Sequence, residues 1–180
     1  MKLGHKILIA LCVLLIAINV PLGYAWLMGQ SNEVENTFTV GDIQISLTER
    51  SGAFYKITPG TTIAKDPRVT VAGGSESCWL FVRIETTQGF DRYLKYSPDN
   101  TWQRLDGHTD IFYRTVEETE TARSFPILEG DMLTVPDTLT EEILAAITED
   151  PTMTFYAYAI QQAGIDSAYT AWQQICAAQE

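Results

Sequence analysis

Apolar residues recur at every second position along most of the chain. A half-buried β-strand requires that period, because successive side chains point to opposite faces of a sheet. Ile43, Ile45 and Leu47 alternate with Asp42, Gln44 and Ser46, and Val69 and Val71 repeat the pattern between Arg68 and Thr70. Leu80, Val82 and Ile84 alternate with Phe81, Arg83 and Glu85. The runs Asp110–Val116 and Thr152–Ile160 are rich in aromatic and branched residues, which favour pleated surfaces. Shorter candidates lie at Phe54–Thr58, Tyr93–Tyr96, Thr101–Leu105 and Asp131–Val135. Turn sequences part them: Pro59-Gly60, Gly73-Gly74, Ser97-Pro98-Asp99-Asn100, Asp106-Gly107 and Glu129-Gly130. The expectation is an all-β antiparallel sandwich of eight or nine short strands. Strands do not alternate with long helical segments, so a βαβ architecture is excluded.

Two stretches leave the period of two, and short helices are expected at about 139–147 and 167–178. Thr138 and Glu141 have capping-box spacing. Asp166 is placed to cap the second helix, in which Ala168, Tyr169, Trp172, Ile175 and Cys176 share one face.

The start of the chain has a different logic. A basic opening, Met1 to Lys6, precedes an apolar run from Ile7 to Val20, then Pro21 and Leu22-Gly23-Tyr24-Ala25. Positive start, apolar middle and small residues at Gly23 and Ala25 form the three-part layout of a secretory signal, with the cut between Ala25 and Trp26. The competing reading is an uncleaved anchor, although the apolar run is shorter than the roughly 20 residues that span a bilayer. The chain then divides into a signal peptide (1–25), an N-terminal segment (26–36) and a β domain (37–180). Its location is secreted, extracellular or attached to the cell surface, and the membrane is met only through the signal. A signal peptidase is the partner expected during export.

Charge and chemistry narrow function further. The 180 residues carry 12 Lys and Arg against 23 Asp and Glu, a net charge of −11. That balance argues against nucleic acid as a partner, since phosphate backbones require positive patches. Past residue 25 only His108 remains as an imidazole, no His-Glu-x-x-His helix occurs, and no phosphate loop or nucleophile elbow is present. Neither a catalytic residue, a metal ligand nor a cofactor is assigned, and the expectation is a non-enzymatic protein. Cys78 and Cys176 have two readings: a disulfide tying the C-terminus to the sheet, or two buried thiols acting as small hydrophobes.

The stretch Gly23-Tyr24-Ala25-Trp26, followed some ten residues later by Asn36-Thr37-Phe38-Thr39-Val40-Gly41-Asp42-Ile43-Gln44-Ile45-Ser46-Leu47, resembles the TasA/camelysin family. Its members are proteins of Gram-positive bacteria exported through a dedicated SipW-type signal peptidase. Tyr55 to Pro67, Trp79 to Glu85 and the ending from Ala157 to Trp172 extend the similarity. Gly23-Tyr24 lacks the family's intervening Thr, and Leu27 stands where Phe is frequent. The resemblance implies a jelly-roll sandwich, secretion and a place in extracellular or biofilm matrix fibres. The metalloprotease label of some members does not suit a chain with one histidine past the signal.

A chain beginning Trp26-Leu27-Met28 carries an apolar, extended start that can add as a strand to a neighbour's open edge. Residues 26–36 are therefore the expected polymerisation segment and Phe38–Leu47 the first core strand. The alternative is a monomeric surface module that binds carbohydrate or protein through Trp79, Tyr96 and Trp102 on one exposed face.

Overall fold

A computed structural model describes residues 36–51, 55–147 and 150–179. The expected signal, its expected cut between Ala25 and Trp26, and the segment from Trp26 through Leu27 and Met28 to Glu35 lie outside them.

The described chain is all-β, with ten strands and three short helices. The strands are β1 (Asn36–Val40), β2 (Ile45–Thr48), β3 (Thr62–Ala64), β4 (Arg68–Val71), β5 (Cys78–Thr86), β6 (Gln103–Arg104), β7 (Ile111–Val116), β8 (Arg123–Pro126), β9 (Met132–Thr134) and β10 (Met153–Gln161). The helices are α1 (Phe90–Tyr93), α2 (Glu141–Ala145) and α3 (Ala168–Ala177). Three sheets form: β1-β10-β5-β7-β6, β2-β4-β8 and β3-β9. All pairings are antiparallel except one, in which β1 runs parallel to β10 from Asn36 beside Tyr156 to Val40 beside Ile160. The expectation of a wholly antiparallel arrangement is corrected at that edge.

Period-two patterning sorts side chains between two layers. On β5, Cys78, Leu80, Val82 and Ile84 point one way, as do Met153, Phe155, Ala157 and Ala159 on β10. They meet Leu47, Ile63, Val69, Val71 and Leu133 from the smaller sheets in one core. The opposite face carries Phe81, Tyr158 and Ile160, which α3 covers with Ala168, Ala171, Trp172 and Ile175. Both faces of the five-stranded sheet are thus buried, which explains why β5 and β10 read as almost continuous apolar runs.

Four expectations change on contact with the structure. Phe38–Leu47 is two strands, because Gly41 takes a φ of +103° that L side chains rarely adopt and turns the chain from the five-stranded sheet into the three-stranded one. Phe54–Thr58 forms no strand over its described residues, 55–58. Tyr93 closes α1, and Lys95 makes only an isolated bridge to Thr134. The helix caps lie later than the sequence implied: Thr140 Oγ1 accepts from the Ile143 N–H at 3.3 Å, and Ser167 Oγ accepts from the Thr170 N–H at 3.1 Å. Strands β3 and β8 carry too little alternation to stand out, and pairing with β9 and β4 fixes them.

Candidate functional site

The two lateral edges of the sheets differ in kind. On one side lie β1 and β2, each at the end of its sheet. From Asn36 to Thr48 the one charged residue is Asp42, in the turn, and there is no proline. Thr37, Thr39, Ser46 and Thr48 are exposed along these strands. On the other side lie β6 and β8, where Arg104 and Arg123 are exposed and Pro126 ends the strand. There the loop before β6 occupies backbone acceptors: Trp102 Nε1 donates to the Pro126 carbonyl at 2.7 Å, and the Asp99 N–H donates to that of Ile127 at 2.8 Å. The Arg114 guanidinium stacks 3.8 Å from the Phe125 ring centre and 5.6 Å from that of Trp102. Charge, proline and covered carbonyls are the devices by which proteins block an edge. They guard β6 and β8, whereas Asn36–Val40 and Ile45–Thr48 themselves contain neither charge nor proline.

A second cluster lies inside the protein. The Lys65 ammonium reaches both Glu49 carboxylate oxygens at 2.7 Å. Tyr55 Oη and Ser51 Oγ each donate to Glu49 Oε1 at 3.0 Å. The ammonium also lies 5.5 Å from the Tyr55 ring centre and 5.6 Å from that of Phe155. Beside it, Asp66 Oδ1 accepts the Arg50 and Ser51 N–H groups at 2.9 and 2.8 Å. Burial raises the Asp66 carboxyl, but these donors outweigh it and hold the group below its ordinary range. Burial, followed by the nearby Glu49 charge, pushes the Tyr55 hydroxyl up to about 12 despite the Ser51 contact. Glu49 and Lys65 satisfy one another, so the cluster is an internal clamp between the end of β2 and the end of β3. Sequence reading passed over it, yet a signal was present. Ile63, Lys65, Pro67, Val69 and Val71 are all buried at a period of two, which puts Lys65 in the inward phase.

The remaining candidates scatter. Cys78 is buried in the core between sheets, and Cys176 is exposed on α3 beyond the opposite face. Both thiols are free. The pairing is therefore corrected, since the five-stranded sheet separates the two side chains, and Cys176 is not a buried hydrophobe either. Tyr169, which shared its predicted stripe, is 53% exposed. Burial pushes the Cys78 thiol up to about 11. His108 is half-buried in its turn, edge-on to Trp172 at 6.3 Å. Among the described residues no group of three or more His, Cys, Asp or Glu could hold a metal ion. No described helix is long and apolar enough to cross a membrane.

The three aromatics of the binding-module reading do not share an exposed face. Trp102 is buried in the core between sheets, Tyr96 packs edge-on to Phe90 at that core, and Trp79 lies half-buried on the helix-covered face. Trp79 Nε1 is itself engaged, donating to the Ile165 carbonyl at 3.2 Å.

No family model, no curated protein and no solved structure matches this chain.

Proposed function

We propose that this chain is a secreted, non-enzymatic structural protein, a β-sandwich of jelly-roll type that builds into extracellular or biofilm matrix fibres. Export rests on the three-part start of the sequence, with cleavage between Ala25 and Trp26 by a SipW-type peptidase. The fibre role rests on the resemblance carried by Gly23 to Trp26 and Asn36 to Leu47. One structural observation supports it most: β1 is an edge strand, and residues 26–35 lead directly into it. A chain segment that enters a fold at a sheet edge is suited to pairing with a neighbour's edge. Trp26, Leu27 and Met28 supply apolar contact in that segment.

Removal of residues 26–35 tests this reading and stops short of β1. The shortened protein is expected to keep its melting temperature and to lose polymerisation. Fibres that persist in it overturn the role of the segment.

A further inference from the structure

No further inference is drawn: the strongest candidate, the Arg114 guanidinium stacked on Phe125 between the β6 and β8 edges, carries nothing, because its partnerless Nε is shut away from solvent and out of a ligand's reach, while Nη1 already donates to Thr101 Oγ1.

Discussion

The Lys65 ammonium lies 2.7 Å from the Glu49 carboxylate, with 4% and 7% of the two side chains exposed. A pair so removed from water is valuable only while both members are present, because a lone buried charge keeps its desolvation cost. Glu49→Gln or Lys65→Met should each lower unfolding free energy by about 3–5 kcal/mol. The double variant Glu49→Leu with Lys65→Met should lose less than either single change. Urea denaturation measures all three, and additive losses would show that the two charges do not depend on each other.

Gly41 turns the chain out of β1 at a φ of +103°, and a Cβ there would meet Gln161 Cβ at 3.2 Å. Gly41→Ala should cost about 1–3 kcal/mol, from backbone strain with crowding added. Gly74 has positive φ but nothing within 4 Å of an added Cβ, so Gly74→Ala should cost less. Thermal melts of the two variants compare strain with and without crowding.

Trp172 sits 5.4 Å from the Phe81 ring and 5.2 Å from that of Tyr158, closing the outer face of the large sheet. Trp172→Ala should destabilise the protein by about 3–5 kcal/mol, the usual cost of truncating a large buried aromatic. A change below about 1 kcal/mol in calorimetry would mean that α3 is not part of the folded unit.

Burial raises the Cys78 thiol from an ordinary 9.0 to about 11. The unfolded chain therefore loses this proton first as pH rises. The contribution is fully present below pH 9.0 and disappears as pH climbs toward about 11. Cys78→Ala should flatten that part of the alkaline stability profile. In thiol titration of the chain from Trp26, exposed Cys176 should react at once and Cys78 only on unfolding.

How far the sequence spoke depended on the period of its pattern. Strands β2, β4, β5, β7 and β10 were legible because each alternates or is densely branched and aromatic over several residues. Strand β3, with three residues, holds too few repeats to signal itself, and β8 runs Arg-Ser-Phe-Pro without alternation. The corner at Gly41 left a trace in the sequence, since the apolar phase shifts from Phe38 and Val40 to Ile43, Ile45 and Leu47 across it, but the two runs were read together as one strand. Parallel pairing of β1 with β10 joins residues more than a hundred positions apart, and no local pattern encodes such a partner. Cys176 was misplaced for a related reason: a side chain's face on β5 is readable, as for buried Cys78, but the face on which α3 docks is not. The Lys65 clamp was readable in principle, since its inward phase continues from Ile63 to Val71, but a lysine is ordinarily assigned to the surface. That β1 and β2 end their sheets became visible only in the strand order.

Self-association is the central claim. Its most direct test is electron microscopy with size-exclusion chromatography on protein beginning at Trp26, at neutral and at mildly acidic pH. Acid partly neutralises the negative charge and relieves self-repulsion. Filaments or a ladder of oligomers, increasing as pH falls, are the predicted result. A monodisperse monomer under every condition would contradict it.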